Sequence, residues 1–576
     1  MSQVPAASAA AAASRRFVRD TVRQGAAPAV TVLVAGVLLA AAGLALPAVT
    51  GRALDLLLAG RHGEAGRWVA LCAVLTAVAV LAGAVEGMVT ASGSAGATAR
   101  IRGTVLRHLL DSGPRAGERF AHGDLVARLV GNAAQAGTVP VALAAALAAV
   151  VTPVGGLVAL ALTDVVTAGV VLIGMPLLVL VVKVFVRTFG DHTDRYLRAQ
   201  GEMAGRLTEA LRGARTIAAA GTRERDAARI LAPLPELSRQ GHLVWRIMGR
   251  STAQASLLLP LLELAVLVVA GLRVAAGELS VGGLLAAWRY AVLATGAGGI
   301  VEELSGLIRG RGAALRLGEV LDQPVMAYGT VRELPPGDGT LEFRDVTLRH
   351  AGREVLRGID LRLPGGTAVA VVGRSGSGKS ALAALAGRLA DPDTGTVLLD
   401  GVPLPALTRR TLRCETGYAF ARPALLGGTV GGTIAFGAYD PGERAVADAA
   451  RAACADDYVR RLPDGYGTAV ADAPLSGGEA QRLGLARAFA HAGRLLVLDD
   501  AMSSLDAVTE LKVSRALLHG SGARTCLIVA HRAATAARAR QVVWLADGRV
   551  RAVGTHTQLW QLPSYREVFA EEAVDA

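Results

Sequence analysis

Three places in the second half of the chain carry the residue types and order needed to hold a polyphosphate and act on its terminal bond. The first is Gly373-Arg374-Ser375-Gly376-Ser377-Gly378-Lys379-Ser380. Glycines 373, 376 and 378 let backbone N–H groups close around phosphate oxygens at a helix N-terminus. Lys379 offsets charge on the outer phosphates, and the Ser380 hydroxyl suits Mg²⁺. The second place is Asp499-Asp500, closing the apolar run Leu495-Leu496-Val497-Leu498. Asp499 is expected at the metal, through water, and Asp500 beside the attacking water. The third is His531, which follows Cys526-Leu527-Ile528-Val529-Ala530 and suits contact with the terminal phosphate. Any one of these also fits a solvated turn or a helix cap. Their order along the chain points to ATP chemistry.

Such groups need strands that deliver them together. Ala368-Val369-Ala370-Val371-Val372 reads as a buried strand ahead of the glycine loop, and a helical pattern begins at Ala381. This is the strand, loop and helix context that a phosphate loop requires. The α/β pattern starts near residue 340, where short apolar runs alternate with Gly, Pro and charge. Up to about residue 300 the composition is different, with long Ala/Val/Leu/Gly stretches. A chain of 576 residues exceeds one ordinary core. The expected class is therefore a multi-domain membrane protein, an all-α transmembrane part followed by an α/β P-loop cassette.

Six apolar segments approach bilayer length at about 1.5 Å per residue. They lie near 27–49, 67–91, 139–162, 164–187, 251–276 and 280–300, the last broken by Arg289 and several glycines. Arg15, Arg16, Arg19 and Arg23 precede the first, which puts the N-terminus in the cytoplasm of a cell-membrane protein. The Arg-rich stretches 92–138 and 188–250 then face the cytoplasm as well, with short external connections at 50–66 and 277–279. A cleaved signal peptide is the competing reading for residues 15–49, but the apolar run is longer than a signal core. The net charge of +12 does not argue for nucleic acid, because the bases are nearly all Arg and concentrate near the apolar spans; Lys occurs only at 183, 379 and 512. Cysteines 72, 414, 454 and 526 lack paired metal-type spacing.

Charges within the spans are costly unless hydrated or paired. Lys183, Glu86 and Arg273 lie near span ends and reach water cheaply. Glu263, three residues after Pro260, and Arg289, between Trp288 and Tyr290, fall near mid-depth. They are either a structural ion pair or helix contact, or the lining of a translocation pathway.

With these residues in view, the chain resembles the ATP-binding-cassette (ABC) transporter superfamily, in the form of an exporter-type half-transporter with six spans and one cassette. The most specific stretch is Leu475-Ser476-Gly477-Gly478-Glu479 and the sequence following it to Ala488, similar to the family's signature motif and its helix. The resemblance implies that Ser476, Gly477, Gly478 and Glu479 face ATP held by an opposing cassette. It also implies that Ser503, Ser504, Leu505 and Asp506 form a loop crossing that interface. Two cassettes then sandwich two nucleotides, and a second half-transporter is the required partner. Bends near 115–121 and 221–225 correspond to coupling helices. The division expected is an N-terminal cytoplasmic segment at 1–26, a membrane domain at 27–309, a linker at 310–338 and the cassette at 339–576.

Three positions on the phosphate side depart from the family pattern. Asp500 stands where Glu is usual, which retracts the carboxylate by about 1.5 Å, and misplacement of about 1 Å costs on the order of a hundredfold in rate. Ala421 stands where a glutamine normally touches metal and water, and His350 stands where an aromatic stacks on adenine. The signature differs only by Glu479 for Gln. This imbalance implies one subunit of a heterodimeric exporter whose own ATP site turns over weakly. A homodimer tolerating Asp500, an ATP-binding regulatory subunit with no turnover of its own, and siderophore import on an exporter scaffold are the alternatives. The transported substrate is not legible.

Overall fold

The computed structural model describes residues 23–114, 119–120, 122–296, 298–350, 352–520 and 524–572. It divides into two compact units, one running to His108 and from His122 to Asp322, the other comprising Leu109–Ala121 and the chain from Gln323 onward.

The first unit is helical. Ala26–Leu58, His62–Ser112, Val139–Thr163, Val165–Arg212, Leu234–Ala275 and Val281–Thr295 overlie the six expected spans. Among the described residues, four helical stretches are long and apolar enough to cross a membrane, and the shorter apolar stretches Val165–Leu177 and Val281–Thr295 cover the fourth and sixth expected positions. Leu162 and Ile173 are more than four-fifths exposed, as side chains facing lipid are. The sixth expected span does not run unbroken over 280–300: its helix ends at Thr295, and another begins at Gly298 and runs to Leu321. Residues 310–321, read from sequence as linker, are therefore helix, and the units divide after Asp322. Arg15, Arg16, Arg19 and most of the 1–26 segment lie outside the described residues.

Two polar clasps hold the helix ends of this unit. Asp55 accepts from the Ser280 hydroxyl at 2.7 Å and from Gly282 N at 2.7 Å, tying the first of these helices to the start of Val281–Thr295. Glycine is required where they cross, because a Cβ on Gly282 would sit 2.0 Å from the Gly51 carbonyl oxygen. Arg273 donates to the buried Asp164 at 2.8 Å and also pairs with Glu278. Arg273 is thus a clasp residue rather than one merely hydrated at a span end. Glu263 is half-buried and Arg289 exposed, the latter with its guanidinium 5.7 Å from the Trp288 ring centre. Neither has an ion-pair partner among the described residues, so the structural ion-pair reading finds no intrachain support.

The second unit is α/β. Its strands are β1 (Leu341–His350), β2 (Arg353–Leu363), β3 (Ala368–Val372), β4 (Thr394–Leu399), β5 (Val402–Pro403), β6 (Thr416–Phe420), β7 (Leu495–Asp499), β8 (Thr525–Val529), β9 (Gln541–Ala546) and β10 (Arg549–Gly554). A four-stranded antiparallel sheet has the order β2-β1-β4-β5, and a six-stranded sheet the order β10-β9-β3-β8-β7-β6. From β9 to β6 every pairing is parallel. Alternate residues feed different cores: Leu496 and Leu498 of β7 join a cluster with Leu483 and Leu485, while Leu495 and Val497 join Phe343 and Leu382. Burial on both faces explains why these strands read as unbroken apolar runs. In such a sheet the carboxyl ends of neighbouring strands share one edge. The glycine loop after β3, Asp499 at the end of β7 and His531 just after β8 all meet there.

Segment Leu109–Ala121 belongs to this second unit, and Asp111 pairs with Arg409 at 2.7 Å. Residues 115–118 and 121 of the first expected coupling bend lie outside the described residues. The second expected bend is a break between the short helices Ala214–Ala220 and Arg223–Leu231, made by Gly221 at φ 62°.

Candidate functional site

The helix behind the glycine loop starts at Lys379, two residues earlier than its apolar pattern suggests. Gly376 and Gly378 adopt φ of 78° and 101°, which residues with a Cβ rarely do. A Cβ on Gly378 would also meet Leu356 at 2.7 Å. Arg374, Ser375 and Gly376 are exposed, whereas Gly373, Ser377 and Lys379 are buried. The Lys379 ammonium folds onto the loop, donating to the Gly373 and Arg374 carbonyls at 2.6 and 3.0 Å. The Ser377 hydroxyl is buried and has no hydrogen-bond partner among the described residues, inside a loop whose geometry gathers donors. A phosphate oxygen would accept from that hydroxyl.

Ser380 donates to Asp499 Oδ1 at 2.8 Å, so the two expected metal ligands lie side by side. Tyr418 on β6 donates its hydroxyl to Asp499 Oδ2 at 3.2 Å. Burial first, and then Asp499, push the Tyr418 phenol well above its usual range, so it stays a donor. A hydroxyl, a carboxylate and phosphate oxygens form the hard oxygen set that Mg²⁺ prefers.

Asp500 follows in the left-handed region at φ 54°, where short polar side chains are tolerated best. Its Oδ1 stands 3.8 Å from His531 Nε2. Burial is the chief cause pushing its carboxyl pKa above the ordinary 3.8, with Asp499 adding to it and His531 and Lys379 opposing. His350 is exposed at the end of β1.

The signature turn is closed by a capping box. Ser476 caps the helix Gly477–His491, its Oγ accepting from Glu479 N at 3.3 Å while Glu479 Oε2 accepts from Ser476 N at 2.8 Å. Gly477 is exposed and Gly478 half-buried. In the following loop Leu505 is buried, and Asp506 caps the next helix by accepting from Val508 N and Thr509 N at 3.1 and 3.0 Å.

Sequence reasoning missed the residue that joins these parts. Gln481, almost fully buried, donates to the Ala421 and Asp500 carbonyls at 3.2 and 3.3 Å and to Ser503 Oγ at 3.4 Å. Its carbonyl accepts from Ser504 N at 3.0 Å. One side chain on the signature helix thereby ties together the loop holding Ala421, the carboxylate strand end and the interface loop. Its signal in the sequence was a polar residue on an otherwise apolar helix face. The Tyr418 contact was missed too, because nothing local to β6 points at β7.

The ABC transporter transmembrane region model matches residues 30–297, and the ABC transporter model matches residues 356–503. The chain is 52% identical over 545 residues to the ABC transporter ATP-binding protein RamA of Streptomyces coelicolor, covering 95% of this chain and 85% of that protein. It is 35% identical over 374 residues to the multidrug efflux ATP-binding/permease protein Rv0194 of Mycobacterium tuberculosis, covering 64% of this chain and 31% of that one. Among solved structures, a bacterial Atm1-family ABC exporter with ATP bound matches with a TM-score of 0.80 at 23% identity, covering 96% of this chain and 98% of the other. The chain therefore belongs to the ABC transporter family, as an exporter-fold subunit with its membrane region and ATP-binding cassette fused in one polypeptide.

Proposed function

We propose that this chain is one half of a heterodimeric exporter in which its own ATP site is the weak one. In this reading it lies in the cell membrane with N-terminus and cassette in the cytoplasm, and ATP-driven closure of two cassettes switches the access of a pathway between the membrane units. Bound MgATP supplies the phosphoanhydride bond whose cleavage resets the cycle. Lys379 and the loop amides hold phosphate oxygens, and Ser380 and Asp499 hold the metal. His531 contacts the terminal phosphate, and Asp500 orients water. His350 stacks on the base. Glu263 and Arg289, which have no intrachain ion pair among the described residues, line the pathway.

The observation that carries the reading is the contrast within one cassette. The signature turn keeps its complete capping network, while the acidic group meant for water is Asp500, 3.8 Å from His531, with only Ala421 where an amide would stand. The partner subunit then supplies a glutamate after its metal-binding aspartate, and this chain's Ser476 to Glu479 complete that stronger site. The direction of transport is export, in keeping with the fold neighbour. Co-expression and co-purification test the assembly. Recovery of a stable one-to-one complex with a second half-transporter bearing that glutamate is the expected result. A stable homodimer with brisk ATPase activity would overturn it.

A further inference from the structure

Glu479 does more in this structure than close a cap. A single oxygen, Oε2, accepts from both Ser476 N and Ser476 Oγ, each at 2.8 Å. Both hydrogen-bond donors of the serine are thus committed to one carboxylate of the same chain. The backbone that carries this side chain is anchored from outside the helix: Tyr458 donates its hydroxyl to the Glu479 backbone carbonyl at 2.8 Å, and the Arg482 guanidinium lies 4.6 Å from the Tyr458 ring centre. The Ser476 backbone bond first, with the hydroxyl, Arg482 and Arg461 adding to it, keeps Glu479 below the usual carboxylate range, so it is ionised at neutral pH. Ser476 itself is exposed.

A capping box needs an acceptor at this position, and glutamine serves as well as glutamate. The charge is therefore surplus to the helix. Its consequences are electrostatic: a bond to an ionised acceptor is roughly twice as strong as one to a neutral acceptor, and a fixed anion at a helix N-terminus opposes the approach of another.

We propose that Glu479 is a built-in competitor for phosphate: its carboxylate occupies the donors of Ser476 that a nucleotide held by the opposing cassette must win, and so sets the ATP concentration at which the cassettes close. This rests on the reading that the signature faces a partner's nucleotide. Glu479 acts through Ser476 and is a positioning residue.

The test uses the assembled transporter in lipid nanodiscs, with ATPase rate followed against MgATP concentration. Glu479→Gln keeps the cap and removes the charge. Its apparent KM should fall roughly three- to tenfold, a larger change than any in kcat, with the thermal midpoint unmoved. The KM gap should narrow as ionic strength rises. A Gly478→Asp variant separates the two levels of the argument, since it puts a carboxylate into the turn itself. An unchanged or raised KM in Glu479→Gln, with turnover abolished by Gly478→Asp, overturns this inference and leaves the signature reading standing. Turnover unaffected by either variant overturns both.

Discussion

The phosphate side and the signature side of the cassette sit on one α/β unit, yet they are built to different completeness. On the signature side, Ser476 and Glu479 close a capping box, Gln481 bonds the neighbouring loops, and Asp506 caps the helix behind the interface loop. On the phosphate side the binding groups are present, but the Ser377 hydroxyl has no partner among the described residues and Asp500 is turned toward His531. In the proposed reading, the groups kept are those for phosphate and metal, namely Lys379, Ser380 and Asp499. In the same reading, the groups shortened or missing are those for water, at positions 500 and 421. Affinity for nucleotide and capacity to hydrolyse it are thus, on that proposal, separable properties of this site. Gln481 is the physical link between the two sides, since it holds both Ala421 and Asp500 by their carbonyls.

The largest effect is expected at the group that binds. Lys379→Ala removes a charge-assisted contact worth about 1.5–3 kcal/mol, so ATP affinity of the purified complex, read by equilibrium binding, should fall roughly ten- to hundredfold. A variant with intact affinity would break the comparison, because the phosphate side would then not be the retained part.

Gln481→Leu attacks the link. It leaves the Ser504 N–H and two carbonyls without their buried partner, at a cost of about 1–3 kcal/mol. Turnover should drop by roughly an order of magnitude through displaced reacting groups, with KM for MgATP little changed. Equal losses in binding and turnover would mean that Gln481 only stabilises the fold.

Tyr418→Phe sharpens the comparison at the metal. Loss of one hydroxyl on Asp499 should raise the Mg²⁺ concentration for half-maximal activity about threefold, in line with a hydrogen bond contributing about 0.5–1.5 kcal/mol. A magnesium titration that overlays the wild type would remove Tyr418 from the site.

Much of this site was legible because its residues are consecutive. The glycine loop, Asp499-Asp500 and Ser476 to Glu479 are each short runs whose backbone placement follows from the strand or helix beside them. Alternation in β7 and β8 does not show in the sequence as polarity, since both faces are buried, but short length in both and β-branched content in β8 still mark them as strands. Contacts between distant segments were not legible. Tyr418 reaches Asp499 across neighbouring strands, and Gln481 gathers three loops. In the membrane unit Arg273 looked cheap to hydrate, yet it pairs with Asp164 from 109 residues earlier. The break after Thr295 was partly visible in the glycines there. The continuation of helix to Leu321 was hidden by glycines and arginines that resemble a linker.

The central claim is that the carboxylate at position 500 is too short to serve water well. It is tested most directly by the ATPase rate of the assembled complex carrying Asp500→Glu, with ATP affinity measured on the same preparation. The account predicts a faster rate, by up to about a hundredfold at this site, with affinity unchanged. Unaltered or slower hydrolysis at full nucleotide occupancy would contradict it.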